Sequence, residues 1–412
     1  MLYAAILAEA TNLGLTGMAR ASRFTYEQLE WTTDWYLRES TLRDANAGLV
    51  DYHHALPLTM SWGSGQLSSS DGQRFATRTR GPETGALPRY FGHRRRGVQM
   101  YSWTSDQYSQ YDSRVIAANV RDATHTLDGI LDNQTALEIE EHTTDTHGYT
   151  EMIFAAYDLL DLRFVPRIRD LDRQRLYQHG TSTTGEASEL LRHRLRPELI
   201  IPHGESLFRL AASLKHGWAP ASLLLSRLQA SGPRNPLARA LQEYGRLVKT
   251  NFILDWLGDE QLRRRYGRQL NKGENIHGLR RILFYAYEGQ PRHRDPDQQQ
   301  EQALCLTLIV NAIVVWNTVY AQLAIDQLRA EGQLITSSEL ETISPLQHAH
   351  LHAYGEYPID SDPGPSATDP SDNPHSARGL ARQHPRTASN ANRTKLRRCY
   401  RRPFRISRAR VG

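Results

Sequence analysis

Ala136-Leu137-Glu138-Ile139-Glu140-Glu141-His142 runs into Thr143-Thr144-Asp145-Thr146-His147-Gly148, and Glu151-Met152-Ile153-Phe154-Ala155-Ala156-Tyr157-Asp158-Leu159-Leu160 follows after two residues. A short run with apolar and β-branched positions, a break at Gly148 and a segment of helical composition predict strand, turn and helix. Another strand-like run at 163–168 completes a β-α-β unit, which requires a parallel pair joined by a crossover. Upstream, runs at 67–77, 97–103 and 114–120 are separated by Gly, Pro, Asn and Asp, with a helical pattern at 125–131. Strands come first and strand then alternates with helix. The predicted class is therefore α/β, with a mixed sheet rather than a sandwich.

Further out, 4–21 and 26–54 predict helices. Phe24 and Thr25 precede the second, and Leu29, Trp35 or Tyr36, Leu42, Ala45 and Leu49 recur along it at roughly helical spacing. The block 189–330 reads as almost wholly helical, punctuated by Pro202, Pro220, 231–236 and 289–296. Beyond Tyr357 the chain turns to Arg, Ser, Asn and Pro with few apolar residues, a composition that predicts disorder.

The whole chain has 412 residues, 39% hydrophobic and 23% charged, at a mean hydropathy of −0.59. That excludes collagen-like and wholly disordered classes. Two cysteines, Cys305 and Cys399, exclude a disulfide scaffold and a cysteine zinc cluster, which makes the cell interior the expected compartment. The formal charge of +5 is unevenly spread: 358–412 carries +8, leaving −3 for the rest, so basicity does not mark the body as a nucleic-acid binder. No secretory pattern opens the chain. The apolar run 303–321 is interrupted by Asn311 and Asn317, and it is expected to be a buried helix rather than a membrane span.

Three acidic residues stand out. Asp71 lies in the first strand, before Gly72; Asp145 follows the 136–142 strand; Glu274 opens a helix whose apolar stripe is Ile276, Leu279, Leu283 and Ala286. Residues at carboxyl ends of strands face the crevice where α/β folds bind ligands. Three carboxylates suit hard divalent cations and phosphodiester chemistry. The bland alternatives are a turn aspartate, a helix cap and a solvated helix face. His142-x-x-Asp145-x-His147 offers a competing zinc pattern. Arg94-Arg95-Arg96, followed by Tyr101 and Trp103, has the composition of a phosphate and base contact, or of a solvated hairpin tip. Lys272, Arg280 and Arg281 flank Glu274, whereas Arg263-Arg264-Arg265 reads as a solvated face. No phosphate-binding loop, dinucleotide fingerprint or nucleophile elbow is present in the sequence.

The strings Ile6-Leu7-Ala8-Glu9-Ala10-Thr11-Asn12-Leu13-Gly14, Ser68-Ser69-Ser70-Asp71-Gly72-Gln73, Ser105-Asp106-Gln107-Tyr108, Thr143-Thr144-Asp145-Thr146-His147-Gly148 and Leu270-Asn271-Lys272-Gly273-Glu274 resemble, in that order, the carboxyl-terminal part of the Tn-three family of replicative transposases. The likeness runs over about 2–357. It implies an RNase H-like catalytic domain in which Asp71, Asp145 and Glu274 form an Asp-Asp-Glu triad with Mg²⁺, Mn²⁺ substituting. Such enzymes nick transposon ends and join the 3′-hydroxyl to target DNA, acting as homo-oligomers. The expected location is bacterial cytoplasm, associated with the nucleoid, and no membrane partner is expected. Candidate DNA contacts are Arg94, Arg95, Arg96, Lys272 and Arg281.

The expected organisation is a helical lead-in at 1–56, the first part of the catalytic domain at 57–175, a large helical insertion at 176–262, closing helices at 263–357 and a disordered basic tail at 358–412. Met1 falls inside the family's catalytic half, so the expected chain is truncated at its amino terminus. Gly204 also stands where the family carries a large aromatic residue. Two readings follow: a metal-dependent strand transferase, or a non-catalytic remnant that binds DNA or full-length transposase.

Overall fold

Along Leu67–Thr77 (β1) the side chains alternate, with Ser68 and Ser70 on one face and Ser69, Asp71, Gln73 and Phe75 on the other. The remaining strands are Arg96–Ser105 (β2), Gln110–Ala117 (β3), Glu141–Thr144 (β4) and Arg163–Phe164 (β5). They are ordered β3-β2-β1-β4-β5, with Gly85–Ala86 also pairing on β2. β1 to β3 form an antiparallel meander with Asp71 opposite Ser102, while β4 lies parallel to β1 with Ser70 beside Thr144. β5 continues parallel to β4. The α/β class and mixed sheet expected from the sequence are present, consistent with an RNase H-like domain that carries additional helices.

This computed structural model describes residues 1–359 except 94, 120–121, 147 and 181–188, and Met1–Ile359 is one compact unit. The expected disordered tail, from residue 360 on, lies outside the described residues.

Apolar side chains cover both faces of the sheet. On the Asp71 face, Phe75, Val98 and Met100 meet Ile276, Leu279 and Leu283 from the helix Glu260–Leu283, and Leu306, Val310 and Val314 from the helix Pro296–Ala330. Each such burial contributes about 1.5–3 kcal/mol. On the other face Tyr101 and Trp103 pack with Val50 and Leu137. His142 stacks on Tyr157 there, at 5.9 Å between ring centres.

Pro296–Ala330 is long and apolar enough to cross a membrane by length and composition. Here many of its apolar residues, Leu304, Leu306, Val310 and Val314 among them, are core, as expected for 303–321, while Trp316 is exposed. Buried Asn311 accepts the Gln110 amide at 2.9 Å and donates to Asn46 Oδ1 at 2.7 Å, so its polar group is matched inside the protein.

Several boundaries differ from expectation. The segment 4–21 divides into Leu2–Ala10 and Gly14–Ala21, because Asn12 turns left-handed (φ 62°) and donates to the carbonyls of Ala286 and Gln290. The segment 26–54 divides into Tyr26–Tyr36 and Glu39–His54 at the buried Leu37, and the first piece starts with a Thr25–Gln28 capping box. In 136–142 only Glu141 and His142 belong to β4; Leu137 turns into the Trp103 cluster instead. The strand expected at 163–168 shrinks to Arg163–Phe164, and 114–120 becomes Gln110–Ala117. Within 189–330, His193–Arg194 pairs in parallel with Tyr177–Gln178 ahead of the helices Gly204–Lys215, Ala221–Ser231 and Pro236–Gly258.

The helix Glu151–Leu159, which follows the Asp145 turn, lies directly against Pro236–Gly258. A Cβ on Gly245 would sit 1.7 Å from the Glu151 carbonyl oxygen, a backbone atom that cannot swing aside. Gly245→Ala is therefore expected to lower unfolding free energy by about 1–3 kcal/mol through overpacking, measured by urea denaturation. A value within error of the parent would contradict this close approach.

Candidate active site

Asp71 is placed by the centre of the sheet. Its Oδ1 accepts the Gly72 amide at 2.7 Å, and 31% of its side chain remains accessible. Asp145 follows β4 directly, in a turn closed by the Gly148 amide on the Asp145 carbonyl at 3.0 Å. That turn is tight: a Cβ on Gly148 would lie 2.6 Å from Thr144 Oγ1. Since Ser70 pairs with Thr144, the parallel register brings the next residues, Asp71 and Asp145, to the same edge of the sheet.

Glu274 does not open a helix. It lies in the middle of Glu260–Leu283, whose start is capped by Asp259. The helix is fastened to the sheet turn by turn. Gln269 donates to Ser69 Oγ and the Thr104 carbonyl, both at 3.1 Å, and Gln73 donates to the His277 carbonyl at 3.0 Å. Tyr266 donates to Glu141 at 3.0 Å, and Arg265 pairs with the same carboxylate at 2.7 Å. Arg265 is exposed, as expected of a solvated face, and also clamps β4.

Asp71, Asp145 and Glu274 line one cleft of about 70 Å³, together with Ser69, Ser102, Thr104, Arg167 and His277. Asp71, Glu274 and His277 converge most closely: one ligand atom of each lies within 4.8 Å of the others. Asp145 is not part of that trio. Burial pushes the Asp71 carboxyl up to about 7; the Gly72 amide opposes the rise, and the charges of Glu274, Asp122 and Asp145 add to it. Burial, reinforced by Arg280 and Arg281, pushes the His277 imidazole down to about 3. Carboxylate oxygens gathered this closely around Asp71 are a donor set fit for a hard divalent cation.

The other candidates separate. Lys272 is largely buried, donating to the Trp62 carbonyl at 3.1 Å and the Asp106 carbonyl at 2.5 Å beneath the Tyr108 ring. Burial lowers it to about 8. It locks the Glu274 helix to the β2–β3 turn, so it is not open to a phosphate. Arg280 is fully buried, bonded to Gln110 at 3.0 Å. Arg281 is exposed two turns beyond Glu274, and Arg95 and Arg96 are exposed where β2 begins; Arg94 lies outside the described residues. Tyr101 and Trp103, expected as base-stacking neighbours, are buried at 1% and 0% exposure.

The zinc pattern fails at His142. Its nitrogens are taken by Ser68 and Ser70, each at 2.7 Å, on the face opposite Asp71; His147 lies outside the described residues.

Two cleft residues escaped the sequence analysis. His277 was detectable as Glu-x-x-His, a spacing that puts both side chains on one helical face. Arg167 follows β5, and its amide donates to the Thr144 carbonyl at 2.9 Å. The rule that strand ends face the crevice, applied to β5 as well as β4, would have found it.

The model of the Tn3 transposase DDE domain matches residues 1–357. The chain is 42% identical over 359 residues to the transposase for transposon Tn501 of Pseudomonas aeruginosa, and 40% identical over 369 residues to that for transposon Tn1546 of Enterococcus faecium. These alignments cover 87% and 88% of this chain and 36% of each relative. The transposase for transposon gamma-delta of Escherichia coli (strain K12) is 36% identical over 359 residues, 86% of this chain and 36% of the relative. The chain thus spans about a third of the length of these curated relatives.

Folding lifts the Asp71 carboxyl from 3.8 to about 7. The native state is therefore favoured below the unfolded value, and that advantage is lost as pH rises through the folded value. Above pH 7 the ionised carboxylate is a burden on the native state. Asp71→Asn should raise the melting temperature of the metal-free protein more at pH 8 than at pH 4. Equal shifts at both pH values would show that the carboxylate is not strained by its surroundings.

Proposed function

The chain belongs to the family of the Tn3 transposase DDE domain, and from that premise we propose that it carries the DNA-cutting and DNA-joining chemistry of transposition. The observation that carries the proposal is the convergence of Asp71, Asp145 and Glu274 on one cleft from a central strand, a neighbouring strand end and a helix. In this reading a transposon end is nicked to leave a 3′-hydroxyl, which then attacks a phosphodiester of target DNA. Both steps displace one oxygen at phosphorus by another.

Asp71, Asp145 and Glu274 hold divalent metal, Mg²⁺ or in its place Mn²⁺. When bound, the metal lowers the proton affinity of the attacking oxygen and offsets charge on the leaving one. The residues' own task is to keep carboxylate oxygens in place against mutual repulsion, which the Gly72 amide and the turn-by-turn anchoring of Glu260–Leu283 accomplish. Arg167, exposed beside Asp145 in the cleft wall, supplies a guanidinium to non-bridging phosphate oxygens. Arg95, Arg96 and Arg281 give backbone contacts, which provide affinity without sequence preference. The partners in this reading are transposon-end and target DNA and further copies of the protein in the active complex.

Asp71→Asn, Asp145→Asn and Glu274→Gln should each abolish Mg²⁺- or Mn²⁺-dependent nicking and strand transfer, in an assay that supplies the remaining part of a longer relative, while circular dichroism stays unchanged. Strand transfer by any of the three would overturn the triad. Arg167→Ala should weaken duplex binding and reduce the salt slope by about one, whereas Arg167→Lys should recover part of the affinity. An unchanged slope in Arg167→Ala would remove it from the interface.

A further inference from the structure

We infer that His277 is a nitrogen ligand of a divalent cation shared with Asp71 and Glu274, an inference that rests on the metal-dependent reading above. His277 stands three residues after Glu274, so both side chains leave one face of the same helix. That face lies against the strand that carries Asp71, and Gln73, two residues along the strand, holds the His277 carbonyl at 3.0 Å. The imidazole belongs to a residue only 4% exposed, yet among the described residues neither ring nitrogen makes a hydrogen bond. Nδ1 lies 3.7 Å from Asp71 Oδ2, beyond hydrogen-bond reach. Two donors that hold one ion at about 2.0–2.2 Å each stand roughly 3–4 Å apart. The gap between His277 and Asp71 therefore matches two ligands of one ion better than a direct hydrogen bond. Neither ring nitrogen is among the buried side-chain atoms left without a partner, so the ring keeps access to the cleft it lines, where an ion between the two carboxylates would lie within reach of a nitrogen lone pair.

The donor chemistry sets a preference. Mg²⁺ favours all-oxygen surroundings, whereas imidazole suits transition metals, so a carboxylate–carboxylate–imidazole set shifts selectivity toward Mn²⁺. His277→Gln should lower Mn²⁺ affinity about tenfold or more and Mg²⁺ affinity by less, narrowing the ratio between them.

The full chain, loaded with Mn²⁺ alone, provides the test. Electron spin-echo modulation of bound Mn²⁺ should carry the nitrogen signature of a coordinated imidazole, lost in His277→Gln. Thermal melts of the variant establish that it folds; should it not fold, the wild-type spectrum still decides. Bound Mn²⁺ that is lost in Asp71→Asn yet shows no nitrogen modulation would overturn the role of His277 and leave the carboxylate site standing. Nitrogen modulation that persists in His277→Gln would also overturn it. Absence of bound Mn²⁺ at millimolar concentration would overturn both the ligand and the metal-dependent reading.

Discussion

Three carboxylates of like charge gather in one cleft only where the backbone gives them no alternative, and here the parallel register of Ser70 beside Thr144 imposes that condition. A slip of one residue would turn Asp145 away from Asp71 and send every alternate β4 side chain to the opposite face. The register is fixed from the far side of the sheet. His142 spends both nitrogens on Ser68 and Ser70 and stacks on Tyr157, so a displaced strand would leave buried polar groups unmatched. The histidine that resembled a metal ligand in the sequence is therefore what aligns the two aspartates.

How much was legible follows from how local each signal is. β1 was found with its bounds, because alternation over Leu67–Thr77 is long enough to register on its own. β4 and β5 were overextended. A buried parallel strand needs only a few paired residues, and Leu137 and Ile168 are apolar because they pack into clusters against the sheet without pairing in it. The breaks at Asn12 and Leu37 depend on contacts hundreds of residues away or on burial, which periodicity does not report. Asp71, Asp145 and Glu274 could all be singled out as candidates from their local context, and the resemblance joined them into a triad. The start of its helix was misplaced because Asn271-Lys272-Gly273 looks like a break. In the structure Gly273 is an interior residue buried where the helix crosses Ser69.

Cations on this helix show the same limit. Lys272, Arg280 and Arg281 have similar side chains within ten residues, yet one is a strut to two carbonyls, one is fully buried against Gln110, and one faces water. Composition cannot separate these fates, because long side chains bury their stems and place their heads wherever acceptors exist. Arg280 is tolerated at 0% exposure by the Gln110 bond and by its neighbour Met100. Gln110 is held in turn by Asn311 and Asn46, so a polar thread joins the helix of Glu274 to two other helices through β3.

The helices after β5 belong to the same problem of holding charges together. Pro236–Gly258 and Glu260–Leu283 are separated by Asp259 alone, whose side chain caps the second helix by accepting the Leu262 amide at 3.0 Å. The first of this pair presses on Glu151–Leu159 at Gly245, and Lys249 pairs with Glu151 at 3.1 Å, at the start of the helix that the Asp145 turn leads into. The second carries Glu274 across β1 and clamps β4 through Arg265 and Tyr266. Two helices joined by a single capped residue thus grip the Asp145 turn with one arm and hold Glu274 with the other. A helical segment inserted between the second aspartate and the glutamate would, as a loose appendage, only lengthen the loop to be ordered. Packed in this way, it couples the position of one carboxylate to that of the other, and repulsion between them is resisted by the helix pair as well as by the sheet.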